Sequence, residues 1–80
     1  MTDAQKNEIN RNFDRCFHAI RTGDWYGASR YYHLCSRMWR MYTTPESPEG
    51  TQGALILARA ISQYVAVFPK KRSPGENDDL

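Results

Sequence analysis

Residues 23–32, with the sequence GDWYGASRYY, decide the fold of this 80-residue chain. Gly23 favours the left-handed conformation that ends a helix, and Asp24 directly after it is a good N-cap for the next one. From Trp25 onward, apolar residues recur at alternating intervals of three and four, which predicts a helix from about residue 25 to 43. The stretch therefore predicts a turn between two antiparallel helices.

The residues before this turn form a first helix with one apolar face. Thr2 and Gln5 have the spacing of a capping box, in which each side chain bonds the backbone N–H of the other. Apolar side chains then recur at helical intervals on an arc of about 100°, at Ile9, Phe13, Cys16, Phe17 and Ile20. The pattern predicts a helix from about residue 3 to 22.

A third helix is predicted from about residue 52 to 68, after a segment with two prolines that ends the second helix. Either Ser47 or Thr51 is a suitable N-cap for it. The sequence of residues 64–68 is rich in β-prone side chains, so a strand there is the alternative. We expect residues 69–80 to form a flexible tail, because they carry too little apolar surface to offset the entropy of ordering.

Length and composition restrict the chain to one small domain, residues 1–68, with a thin core. The hydrophobic content of 40% and the charged content of 25% are ordinary for a globular protein, and the net charge is only +2. No run approaches the roughly 18 apolar residues of a membrane span. We therefore expect an all-α, three-helix bundle, an antiparallel helical hairpin plus a third helix, with a disordered C-terminal tail. The polar N-terminus favours a cytoplasmic protein.

The hairpin resembles the middle of a tetratricopeptide repeat, in which an alanine is followed four residues later by an aromatic residue. Ala28 and Tyr32 match this pattern, and Cys16 and Cys35 lie where the repeat has small residues that permit close helix packing. The resemblance covers residues 12–35 and departs from the repeat where its closing proline should be. It implies a protein-binding role.

No catalytic, cofactor or metal site is predicted. The pairs Cys16 with His18 and His33 with Cys35 are two residues apart on a helix, so their side chains point about 200° away from each other. Zinc ligands must converge at about 2 Å, which excludes these pairs as a shared site. The spacing contains no catalytic triad, carboxylate pair or phosphate-binding loop, and we expect the protein not to be an enzyme.

The second helix carries two candidate binding surfaces. Its apolar arc covers about 200°, which is more than two neighbouring helices shelter. We expect part of this arc to bind a partner or a second copy, through Tyr31, Met38, Trp39, Met41 and Tyr42; the alternative is that the whole arc belongs to the core. A basic ridge on the same helix consists of Arg30, His33, Arg37 and Arg40. The ridge suits an acidic protein or nucleic-acid phosphates, and a solvated polar face is its simplest interpretation.

These observations predict a non-enzymatic protein-interaction module that forms a homodimer and binds its partner through the second helix. Small free-standing helical proteins of this kind resemble accessory or inhibitory factors of phages and plasmids, such as blockers of host defence complexes. The alternative is a small nucleic-acid-binding regulator that uses Arg30, Arg37 and Arg40.

Overall fold

The computed structural model describes residues 1–74, which form three α-helices: α1 (Asp3–Arg21), α2 (Trp25–Tyr42) and α3 (Pro48–Val67). This part of the chain contains no strand, and the helices pack as a small bundle. The predicted all-α, three-helix fold is confirmed. None of the three helices combines the length and the apolar character needed to cross a lipid bilayer.

The turn between α1 and α2 has the geometry that the sequence predicts. Gly23 adopts a φ of +81°, the left-handed region that glycine enters without steric cost. The Asp24 carboxylate accepts a hydrogen bond of 2.9 Å from the N–H of Gly27. At the start of α1, the N–H of Gln5 donates to Thr2 Oγ1 at 3.2 Å, and the N–H of Thr2 donates to Gln5 Oε1 at 2.9 Å. Local hydrogen bonds therefore place both helix starts.

α3 begins at Pro48, four residues before the predicted start at about residue 52, and of the two predicted N-caps the structure has Ser47 and not Thr51. Ser47 is the N-cap, because its Oγ accepts a hydrogen bond of 2.9 Å from the N–H of Gly50. Pro48 is the first helical residue, where the missing N–H removes no intrahelical hydrogen bond. The helix then continues to Val67, so residues 64–67 are helical and do not form the alternative strand.

The core consists of two clusters stacked along the hairpin. The cluster near the turn comprises Cys16, Ala19, Ile20, Ala28, Tyr32, Ala60 and Tyr64. The cluster at the open end comprises Ile9, Phe13, Cys35 and Met38. The α1–α2 interface is the most extensive in the bundle, and α3 packs across it with smaller contacts. One side of α2 is therefore buried, and much of α3 stays exposed.

The segment predicted as a flexible tail is described only as far as Pro74. The N–H of Lys71 donates to the carbonyl oxygen of Phe68 at 3.0 Å, which turns the chain after α3. The Lys71 ammonium lies 4.1 Å from the centroid of the Trp25 ring, and Pro74 is buried. Residues 75–80 of the predicted tail lie outside the described residues.

Candidate functional site

The five residues predicted as an apolar interface do not form one exposed surface. Met38 is only 6% exposed and belongs to the open-end core cluster. Trp39 and Tyr42 are half-buried and pack against the same cluster, and Tyr31 packs against the cluster near the turn. Met41, in contrast, is 66% exposed. Within one subunit, most of the predicted interface therefore contributes to the core, and Met41 is the member that faces solvent.

Trp39 packs between the hairpin and α3. Its ring centroid lies 6.2 Å from that of Phe13, and α3 approaches it at Gly53. A Cβ atom added at Gly53 would lie only 1.7 Å from the indole Cε2, so this approach requires a residue without a side chain. The indole Nε1 is buried and has no hydrogen-bond partner among residues 1–74. Trp39 thus acts in this subunit as a packing residue for α3.

The basic ridge lies on the solvent side of α2, and all four of its residues are exposed. Arg30, His33 and Arg37 border a shallow groove of about 330 Å³, whose wall also includes Tyr26 and Leu34. None of the ion pairs within residues 1–74 involves a ridge residue. The described part of the chain therefore leaves the positive charges of Arg30, Arg37 and Arg40 without an acidic partner.

Exposed apolar side chains lie among the ridge residues. Tyr26 is 62% exposed and Leu34 is 39% exposed, and Met41 extends the same side of the helix. At 100° per residue, these residues and the ridge share an arc of about 120°, opposite Ala28 and Cys35. We name this surface the outer face of α2, consisting of Tyr26, Arg30, His33, Leu34, Arg37, Arg40 and Met41.

Sequence reasoning identified the charged half of this outer face and missed two apolar members. Neither of the two predicted surfaces includes Tyr26 or Leu34. Their positions on the helical projection, 160° from Ala28 for Tyr26 and 120° from Ala28 for Leu34, were the signal that could have found them. Exposed apolar residues within or beside a charged arc indicate a surface that another molecule covers.

The two cysteines are free, buried thiols between α1 and α2. Cys16 Sγ donates to the carbonyl oxygen of Ala28 at 3.4 Å, and Cys35 Sγ donates to that of Ile9 at 3.9 Å. Burial raises the pKa of Cys16 to about 11, and burial together with the nearby Cys16 raises the pKa of Cys35 to about 12. Both thiols are therefore protonated at neutral pH and lack the thiolate that a nucleophile requires.

The histidines are not grouped with these thiols. His18 and His33 are both exposed, whereas Cys16 and Cys35 are buried. Across residues 1–74, no group of three or more histidine, cysteine, aspartate or glutamate side chains lies together in a way that could hold a metal ion.

No protein-family model matches this chain, and no curated protein or solved structure matches it either. The resemblance of residues 12–35 to a tetratricopeptide repeat rests on the motif and on the hairpin, in which Ala28 and Tyr32 are buried against α1.

Proposed function

We propose that this protein is a non-enzymatic interaction module that binds another protein through the outer face of α2. One observation carries the proposal: exposed apolar side chains alternate with basic side chains that have no acidic partner in residues 1–74. We further propose that the protein acts by occupying its partner, as an accessory or inhibitory factor.

The composition of the outer face favours a protein partner. Tyrosine, methionine and arginine are enriched at the centres of protein interfaces, where they make large apolar and bidentate polar contacts. From Tyr26 to Met41, the apolar side chains extend over about 22 Å, or about four helical turns. Arginine pairs with a carboxylate through two parallel hydrogen bonds. The expected partner surface therefore presents carboxylates beside apolar side chains.

Nucleic-acid binding is the second candidate, and the exposure of Arg30, Arg37 and Arg40 supports it. If binding used three phosphate contacts, the affinity would fall by about 40-fold as the salt concentration rises from 50 to 200 mM. The reason is that binding releases counterions, and added salt opposes this release. Phosphate contacts do not explain why Tyr26 and Met41 lie exposed beside the arginines. The protein candidate accounts for both kinds of side chain, and we therefore prefer it.

Photocrosslinking followed by affinity measurement tests the proposal. A photoreactive residue at position 41 should link the protein to a partner in cells, and the partner is then purified for titration. In a titration with about 1 µM protein, Leu34→Glu should weaken partner binding by at least about tenfold. The substitution removes an apolar contact, and its carboxylate offsets part of the positive charge of the basic ridge. Leu55→Glu, a leucine of α3 that is also exposed, is the matched control and should change the affinity less than about twofold.

Two results would overturn this assignment. Equal losses of affinity in Leu34→Glu and Leu55→Glu would show that the outer face of α2 is not the binding surface. Binding of a labelled 20-base-pair duplex that falls about 40-fold between 50 and 200 mM salt, without any crosslinked protein, would establish the nucleic-acid candidate instead.

A further inference from the structure

A groove lies between the C-terminal half of α2 and the N-terminal half of α3, with a volume of about 290 Å³. Its wall is mostly apolar, and Trp39, Pro45, Ala54 and Leu57 contribute to it. Gly50 and Ala54 are four residues apart, so they lie on the same side of α3. Because glycine has no side chain and alanine has only a methyl group, space remains between the two helices beside Trp39.

Arg40 is the charged residue among the described residues that line this groove. Its side chain is exposed and forms no ion pair within residues 1–74. Glu49, in the first turn of α3, is directed toward α1, where its carboxylate lies 3.6 Å from Lys6 Nζ. Glu46, in the segment between α2 and α3, forms no ion pair in that range either. The groove therefore combines an apolar wall with a positive charge that no described acidic residue pairs with.

The groove continues the outer face of α2 toward α3. At 100° per residue, Arg40 lies 120° from Ala28, at the edge of the outer face, and Trp39 lies 20° from Ala28. Arg40 thus belongs both to the outer face and to the wall of the groove. A partner that covers the outer face therefore reaches the groove across Arg40.

We propose that this groove holds one bulky apolar side chain of the partner protein, with a neighbouring carboxylate of the partner paired to Arg40. The inference rests on the proposed function and specifies the part of the partner that α2 and α3 recognise together. A carboxylate accepts two parallel hydrogen bonds from an arginine, and an apolar side chain gains free energy when the groove covers it. The groove is open on one side, which favours a side chain held by a larger partner, because small-molecule sites bury most of the ligand surface.

An NMR titration of the isotope-labelled protein tests the groove with a small probe. N-acetyl-leucine carries a carboxylate beside a leucine side chain, and N-acetyl-leucinamide is its uncharged counterpart. N-acetyl-leucine should shift the indole N–H signal of Trp39 with a dissociation constant of about 1 mM. The indole signal of Trp25 is the internal control, because Trp25 lies about 21 Å away along α2. The amide should bind about threefold more weakly, since an exposed ion pair makes a small contribution.

Two pairs of variants separate the apolar and the charged contributions to probe binding. Ala54→Leu fills the groove and should abolish the shift of the Trp39 signal. Ala58→Leu, at an exposed position of α3 outside the groove, should bind the probe like the wild type. Both substitutions introduce a good helix former, so the fold is retained. Arg40→Gln should bind the acid and the amide equally, whereas Arg11→Gln, at an exposed position of α1, should keep the threefold difference.

Three results of the probe titration would overturn the proposal. The first is an equal shift of the Trp25 and Trp39 signals, and the second is unchanged probe binding in Ala54→Leu. The third is a Trp39 signal that moves when the protein alone is diluted from about 500 to about 20 µM, because a second copy of the chain would then occupy the groove.

Titration of the crosslinked partner separates this inference from the proposed function. Ala54→Leu should weaken partner binding by at least about fivefold, whereas Ala58→Leu should change it less than about twofold. Unchanged partner binding in Ala54→Leu, together with a loss in Leu34→Glu, would overturn the role of the groove and leave the proposed function intact. A loss in Ala54→Leu with unchanged binding in Leu34→Glu would support the groove and overturn the assignment of the outer face.

Discussion

The substitution Gly53→Ala tests how α3 is attached to the hairpin. An alanine Cβ at this position would lie 1.7 Å from Cε2, 1.9 Å from Nε1 and 2.2 Å from Cδ2 of Trp39. Carbon atoms in contact are normally about 3.5–4.0 Å apart, so the indole ring must move by nearly 2 Å. The ring packs on Phe13 and the open-end core cluster on its other side, which opposes that movement.

Two opposing effects determine the size of the change. Alanine in place of glycine favours a helix by about 1 kcal/mol, whereas overpacking a core costs about 1–3 kcal/mol. Because a rigid, half-buried ring has to move, the upper end of that range applies, and Gly53→Ala should lower the free energy of unfolding by about 2 kcal/mol. That loss is large for an 80-residue domain, whose total stability is about 4–12 kcal/mol.

Urea unfolding followed by circular dichroism measures this change. Gly27→Ala is the matched control: the atoms nearest its Cβ belong to the flexible carboxylate of Asp24, so the loss of that cap, about 1 kcal/mol, and the gain in helix preference, about 1 kcal/mol, should cancel to within about 0.5 kcal/mol. In a Trp39→Leu background, Gly53→Ala should no longer destabilise. If Gly53→Ala stabilises the wild-type protein by about 1 kcal/mol, Trp39 does not pack on α3 as described.

Two further predictions concern pH and helix capping. Burial raises the pKa of both Cys16 and Cys35 above the ordinary value of 9.0, so their stabilising effect is complete below pH 9 and is lost as the pH rises toward 11–12. At pH 10 the free energy of unfolding should be lower than at pH 8 by about 1 kcal/mol per thiol. A variant with both cysteines replaced by alanine should lose this pH dependence. An equal decrease in its free energy of unfolding would contradict the prediction. Ser47→Ala removes the cap of α3 and should lower the unfolding free energy by about 1 kcal/mol, measured by urea titration. Thr51→Ala is the control, because Thr51 is an exposed helical residue and not the cap, and an equal effect of both variants would refute the assignment.

The start of α3 shows why local signals place some helix ends better than others. Residues 44–51 contain two suitable caps, and intrinsic preferences do not rank Ser47 above Thr51 decisively. In the folded chain, the helix that starts at Pro48 brings Gly50 so close to the carbonyl of Thr44 that a Cβ would lie 2.0 Å from its oxygen. That close approach depends on the path of the connecting segment, which the helical periodicity of α3 does not contain.

The burial of residues on α2 depends both on helical periodicity and on the arrangement of the neighbouring helices. Helical periodicity correctly identified Ala28 and Cys35 as buried and the arginine ridge as exposed, because these lie at the two extremes of the helical projection. Met38 lies between the extremes, 80° from Ala28, and Trp39 lies near the buried extreme, 20° from Ala28, but which neighbouring helix each residue contacts depends on how the bundle is arranged. Their apolar character was clear from the sequence, but the element that contacts them was not.

Capping boxes, a left-handed glycine and apolar periodicity act over four residues or fewer, so the amino-acid order was sufficient to establish three helices and a hairpin. The placement of α3 depends on contacts between residues far apart in the chain, above all Gly53 against Trp39. Those contacts cover the aromatic side of α2 and leave the face with Tyr26 and Met41 open. The exposed surfaces, and hence the proposed binding sites, follow from packing that no local pattern encodes.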